Sequence, residues 1–568
     1  MTKVISLASC IILIWLSGCS NNRSRDVKIS IDSLTVASGK LLFTKDCSAC
    51  HAFDADAIGP SLGGITKKVP ADWVMKFIAD PQSVIKSGDV RASKLYARFK
   101  STMPSFKHYS QDDLMAIVAY LNTKEGVVKE IEAFDSLALK NPIPERIPES
   151  SLIAELKLVT QIPFSSEESP RTRLVKLESH PTTGHLLLLD LRGKIYRVDN
   201  GRAETYFDMA IARPAFIHKP GLATGFGSFA FHPEFTQNGL LYTTHTEPPN
   251  RKKADFFYND SIPVTLQWVV TEWKINAPGN FPFEGKGREL LRINMLSGIH
   301  GMQEASFNPT ATPGSADYRL LYIGIGDGGS VEKKFPFLVH NQKDLWGTII
   351  RIDPAGKNSK NGQYGIPQTN PFAVDGQPSK SEIYAYGFRN PHRLTWLRSG
   401  TMLASNIGHS NIESFSIIQS GNDYGWPIRE GNFLHLEYGN MTRVYALPAD
   451  DSIFHMTYPV IAYDHDEGKA ISSGYEYTGK NIPALKGKFL FADIVNGRLF
   501  YAITNDLRQG HHAPLKHWRI SVDGNEVSME KLCGNSRVDL RLGRDHEGEV
   551  YLFTKPDGKV YKIVSAKE

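Results

Sequence analysis

GHLLLLD, residues 184–190, is a turn followed by an unbroken apolar run. The same form returns as NGLLYTTH (238–245), YRLLYIGIGD (318–327), GTMLASNIG (400–408), GKFLFAD (487–493) and GEVYLFTK (548–555). Apolar runs of this length between turn residues read as short buried strands. Some runs are followed by a second hairpin, as from Asp190 to Val198 turning at Gly193, and from Lys555 to Ile563 turning at Asp557-Gly558. The six occurrences lie 54 to 87 residues apart, more than two hairpins need, which leaves room for long loops. Repeats on this scale point to blades around an axis. The expectation is an all-β six-bladed β-propeller over residues 155–568; a pair of β-sandwiches would give similar short strands, and pattern alone leaves it open.

Upstream the texture changes. A polar stretch with Pro142, Pro144 and Pro148 reads as a linker, residues 126–154. Before it, Ala71 to Ala79 has a helical pattern stopped by Pro81, and Ser110-Gln111-Asp112-Asp113 is an N-cap with an acid three residues on, followed by Leu114, Ile117, Val118 and Leu121 on one face. Within this part lies Cys47-Ser48-Ala49-Cys50-His51, the spacing at which two thiols add to haem vinyl groups while the adjacent imidazole reaches the iron. No further Cys or His follows at a spacing that suits zinc. Met103, on the proline-stiffened loop Ser101-Thr102-Met103-Pro104, is the expected sixth ligand, with His108 as the fallback. Residues 36–125 resemble class I cytochrome c, including the Gly59-Pro60-Ser61-Leu62 run. The fold class is therefore multidomain: a small all-α cytochrome c domain followed by the propeller.

The amino terminus reads as an export signal. One Lys and a short apolar run from Val4 to Leu16 fall short of a bilayer span. Leu16-Ser17-Gly18-Cys19 resembles a bacterial lipobox, which implies a signal peptide over 1–18, acylation of Cys19 and a tether over 19–35. Ser20 after the cysteine matches lipoproteins of the outer membrane facing the periplasm. Ordinary signal cleavage is the alternative. Of five cysteines, only Cys533 is then left without a role, so disulfides hold nothing together and Cys533 reads as a small buried hydrophobe. With 65 basic and 60 acidic residues and no long charge runs, the chain has no nucleic-acid footprint.

Several motifs of the large domain are similar to those of the glucose/sorbosone dehydrogenase family. Glu382-Ile383-Tyr384-Ala385-Tyr386-Gly387-Phe388-Arg389-Asn390-Pro391 resembles its "GxRNP" signature, and Phe229-Ala230-Phe231-His232-Pro233-Glu234-Phe235, Gly326-Asp327-Gly328-Gly329, Ile350-Arg351-Ile352-Asp353-Pro354 and Tyr424-Gly425-Trp426-Pro427 agree in order. The resemblance implies oxidation of a sugar, polyol or related alcohol or aldehyde with pyrroloquinoline quinone. His300, seven residues before Phe307, matches the family's general base; imidazole suits removal of a hydroxyl proton. Asp327 would orient it. Arg389 and Asn390 would face the quinone carbonyls, Arg537 and Arg541 its carboxylates, and the backbone carbonyls of Gly408 and His409 a Ca²⁺ ion. Three places depart from the family: Ile494-Val495-Asn496-Gly497 lacks its lysine, Thr224-Gly225-Phe226-Gly227 lacks its glutamine, and His300-Gly301-Met302-Gln303 replaces "HNGG".

A dehydrogenase propeller beside a haem implies that the haem receives the electrons one at a time and passes them to a downstream cytochrome or oxidase. The alternative is a non-catalytic propeller that binds glycan or protein, fused to an electron-carrier cytochrome. A substrate larger than a monosaccharide is a further reading, because the stretch between Asn276 and Arg292 reads as a long loop.

Overall fold

A computed structural model describes residues 28–48, 50–53, 59–99, 102–124, 137–259, 261–373 and 380–568. The signal segment and Cys19 lie outside the described residues. No helix among the described residues is long and apolar enough to cross a membrane.

The first part is helical. Helices Ser33–Asp46 and Gln111–Asn122 cross in contact, and a Cβ at Gly39 would stand 1.8 Å from the Ala116 carbonyl oxygen, so only glycine permits this approach. Ser110 and Asp113 form the expected capping box, which satisfies the first amides of Gln111–Asn122. Helix Ala71–Ala79 ends as expected; Pro81, rather than only stopping it, opens the next helix, Pro81–Lys86, where its missing N–H costs nothing. Phe43, Val74, Ile78, Phe106, Ile117 and Leu121 fill the small core between these helices.

The second part is a ring of six four-stranded blades. The innermost strands are Leu174–Ser179, Phe226–Phe231, Glu304–Phe307, Pro391–Trp396, Ile471–Glu476 and Leu540–Arg544, in blades one to six. Each of the six apolar runs is the second strand of a blade: Leu186–Asp190, Leu240–Glu247, Leu321–Ile325, Met402–Asn406, Lys488–Asp493 and Val550–Thr554. These strands are covered on both faces, which is why they read as continuous apolar runs and not as alternation. The pairing into one ring rather than two sandwiches settles the question the pattern left open.

The ring closes through the chain's own earlier segment. Strand Glu149–Gln161 completes blade six by antiparallel pairing with Lys559–Lys567, and its first half pairs parallel with Leu515–Val522 of blade five. Closing so long a loop is tolerable because its entropic cost grows only about 0.6 kcal/mol per doubling of length. The propeller chain thus begins at Glu149, not at 155. The linker is also no free tether at its far end: Leu139 donates to the Val444 carbonyl, Arg146 pairs with Asp466 at 2.9 Å and the Ile147 amide donates to Glu467. The second half of the stretch between Asn276 and Arg292 is strand, part of Gly285–Met295, so the expected long loop is confined to residues 276–284.

Candidate functional site

Antiparallel geometry decides where function can sit. The start of an innermost strand and the end of the second strand lie at the same edge of a blade, so residues at these two places meet at one mouth of the propeller. His300 precedes the innermost strand of blade three, Arg389 and Asn390 that of blade four, and Arg537 that of blade six. Asp327, Gly408 and His409, and Lys555 follow the second strands of blades three, four and six. The runs that mark the blades also deliver these side chains.

His300 and Asp327 form a tight pair, Nδ1 to Oδ1 at 2.6 Å. Asp327 is fully buried and accepts two more hydrogen bonds, from the Gly329 amide at 2.8 Å and from Trp426 Nε1 at 3.0 Å. With Nδ1 committed to the carboxylate, Nε2 is the nitrogen left to meet a ligand. His300 holds φ 50°, the left-handed region that costs a residue with a side chain about 1 kcal/mol or more.

Arg389 reaches the same place through Glu332, a residue that no motif marks. Its Nη2 donates to Glu332 Oε1 at 2.6 Å and its Nη1 to the Gly408 carbonyl at 2.5 Å. Ligand atoms of His300, Asp327 and Glu332 all lie within 4.8 Å of one another. Burial opposes charge on Glu332, but Arg389, His300 and His409 together hold its carboxyl well below the ordinary range. Its second oxygen is buried without a partner, as is Asn390 Oδ1. Glu332 lies in the turn after Asp327, where there is no periodicity to single it out.

Gly408 and His409 were expected to offer only backbone. The His409 ring instead joins the site, its Nε2 4.0 Å from Glu332 and its face stacked on Trp426. Burial, with Arg389 next, lowers it to about 4, so it is neutral at ordinary pH. The Gly408 carbonyl already accepts from a guanidinium, and a Ca²⁺ there would have to displace that cation. This donor set does not fit the ion, and nothing below uses it.

Arg537 and Arg541 stand further round the mouth. Arg541 is buried with Nε unpartnered, and Arg537 Nε donates to Asp539 at 3.2 Å. Lys555, which lies in the last apolar run and carries no motif of its own, adds a third basic group acting on Asp539. Burial, and then the neighbouring guanidinium of Arg541, pushes the Lys555 amine well below its ordinary value. Two buried basic groups and the partly buried Arg537 face one carboxylate, an imbalance of charge that an anionic ligand would relieve. A cofactor with several carboxylates fits this cradle. His392, buried in the innermost strand of blade four, is held well below its ordinary value by burial and then by the charges of Arg393, Arg541 and Lys555.

The residues of the haem motif can be tested for fit. His51 Nδ1 lies 2.8 Å from the Pro60 carbonyl, which leaves Nε2 as the nitrogen that would meet an iron, and a Cβ at Gly59 would strike the His51 ring at 2.4 Å. Cys47 and Cys50 are free thiols and Met103 packs on the core of this part, so the residues fit a covalent haem. His108, the fallback ligand, faces Glu168 of the propeller at 3.4 Å.

Residues 36–125 match the family model described as Cytochrome c, and residues 313–562 that of Glucose / Sorbosone dehydrogenase. Among curated proteins, the HIPL1 protein of Arabidopsis thaliana is 26% identical over 389 residues, 60% of this chain and 53% of that protein. Quinoprotein glucose dehydrogenase B of Acinetobacter calcoaceticus is 26% identical over 323 residues, 54% of this chain and 60% of that one. The chain thus spans little more than half the length of these relatives. The apo-form of the soluble aldose sugar dehydrogenase of Escherichia coli shares the fold, with a TM-score of 0.51 at 14% identity over 72% of this chain and 98% of that one.

Proposed function

We propose that this chain, which joins a cytochrome c domain to a domain matching the glucose/sorbosone dehydrogenase family, oxidises a sugar or related alcohol at the propeller mouth and delivers the electrons to its own haem. The observation that carries the reading is the convergence of the His300–Asp327 pair and Arg389 on one point, marked by Glu332. Pyrroloquinoline quinone, when bound, would supply the two-electron acceptor; the covalent haem would take electrons one at a time. Oxidation of an alcohol or hemiacetal to a carbonyl releases two electrons and two protons. His300 Nε2 takes the hydroxyl proton, and Asp327 holds the imidazole in that tautomer and stabilises the charge it gains. Arg389 supplies fixed positive charge where negative charge develops. Arg541 and Lys555 would hold carboxylates of the cofactor. The lipobox cysteine, Cys19, supports a lipoprotein anchored to a membrane facing the periplasm, with a further electron acceptor downstream.

A second reading has one observation in its favour: Glu332 already pairs with Arg389 and would make that cluster a structural latch in a binding propeller. One experiment separates the two. The haem-loaded chain is supplied with the quinone and a panel of aldoses and polyols, and the ferrous haem band is followed. The dehydrogenase reading expects the band to rise in the parent and to stay flat in His300→Ala. A parent whose haem stays oxidised with every substrate, while sugar still binds to both forms, supports the binding module and refutes the enzyme.

A further inference from the structure

The cytochrome rests on the same mouth through Gln82 and the loop that carries Met103. Gln82 Nε2 lies 3.3 Å from Asn535 Oδ1 and 3.3 Å from Ser536 Oγ, in the turn that leads into the innermost strand of blade six. Ser536 Oγ donates to Thr102 Oγ1 at 2.8 Å, and Thr102, only 3% exposed, is the residue before Met103. At a second place His108 meets Glu168, in the loop before blade one, at 3.4 Å. Arg537 follows Ser536, which touches the residue before Met103, and its Nε donates to Asp539 at 3.2 Å, so one cation and one anion of this turn stand at the contact with the sixth-ligand loop. Arg537 was expected among the cofactor's carboxylate contacts, but its side chain is taken up by Asp539, in the turn on which the cytochrome rests.

A guanidinium beside the sixth-ligand loop makes no bond to the iron and acts on it through its charge. We propose that the 535–539 turn is an internal docking site for the Met103 side of the cytochrome, and that Arg537 is a positioning residue which favours the ferrous haem. The step it biases is the gain of one electron by ferric haem, which removes one positive charge from the iron. A cation held in a poorly hydrated interface beside that loop repels the ferric centre more than the ferrous one. Arg537 therefore raises the potential, and Asp539, of opposite sign, lowers it. This inference rests on the dehydrogenase reading for its purpose, but not for its test.

The test is a potentiometric titration of the haem in the full holoprotein, with no quinone and no sugar. At a fixed ambient potential, Arg537→Gln lowers the ferrous-to-ferric ratio about fivefold, the order expected for one charge across a partly hydrated interface, and Asp539→Asn raises it. Arg537→Lys keeps the ratio near that of the parent. Should Arg537→Gln fail to hold haem, Asp539→Asn carries the test alone through its opposite sign. A cytochrome that swings free of the propeller leaves the ratio unchanged in every variant, and that result overturns the proposal. Arg537→Lys falling as far as Arg537→Gln overturns it too, because the effect would then be packing and not charge. Failure of the dehydrogenase reading would leave these shifts intact.

Discussion

Replacing Asp327 by Asn tests the architecture of the site at its most constrained atom pair. The carboxylate is fully buried and only accepts: from Gly329 at 2.8 Å, from Trp426 at 3.0 Å and in the 2.6 Å contact with His300. An amide has one acceptor and one donor, so it cannot satisfy all three. If its oxygen takes the place of Oδ1, its NH₂ faces the Trp426 N–H and two donors collide. If it flips, its NH₂ faces the Gly329 amide, and His300 must accept at Nδ1 and carry its proton on Nε2. Each orientation leaves one buried donor unsatisfied, at about 1–3 kcal/mol. The second also removes the base, which is worth about 10²–10⁴ in rate. Urea unfolding followed by tryptophan fluorescence reads the first effect without any turnover, and Trp426 itself reports on the contact. A lower midpoint with an unchanged slope is expected. An unchanged midpoint would refute the reasoning, since a buried acceptor of three bonds cannot be replaced at no cost.

Three further outcomes follow from buried groups. Burial, with Glu430 next, raises Glu413 to about 8, so the folded protein keeps a proton that the unfolded chain releases near 4.5. Its contribution to stability is complete below about 4.5 and is lost as pH rises through about 8; Glu413→Gln should match the parent at pH 5 and exceed it at pH 9 in urea unfolding. Lys176 is buried at the join of blades one, two and three, with Nζ 2.7 Å from Glu304 and 2.9 Å from the Phe229 carbonyl. Lys176→Met leaves Glu304 without its nearest cation and should destabilise the propeller by about 3 kcal/mol in the same assay. Gly39→Val would force its side chain into the Ala116 carbonyl and should abolish haem incorporation, read from the haem absorbance of the purified chain.

The propeller was legible because each second strand is buried on both faces, and six such runs at blade spacing suit few folds besides a ring of blades. The helical part was legible from one spacing, Cys47 to His51, and one cap, Ser110 with Asp113. His300, Asp327 and Arg389 were legible only through resemblance, since nothing in their local pattern separates a functional residue from a turn. What stayed hidden was whatever depends on neighbours far along the chain. Glu332 acquires its place from Arg389, 57 residues on, and Lys555 from Asp539 across a hairpin. The start of the propeller was misplaced because Glu149–Gln161 pairs with strands at the other end of the chain, and no local signal records a partner some 400 residues away. Arg537 showed its charge in the sequence, but not that a second domain would sit on it.

The central claim is that oxidation at the propeller mouth and reduction of the haem occur within one chain. Stopped-flow absorbance of the ferrous haem band, after a reactive aldose is mixed with the quinone-loaded holoprotein at several protein concentrations, tests it most directly. The account predicts a first-order rate that does not change as the protein is diluted tenfold. A rate that falls in proportion to protein concentration, or a haem that never reduces, contradicts it.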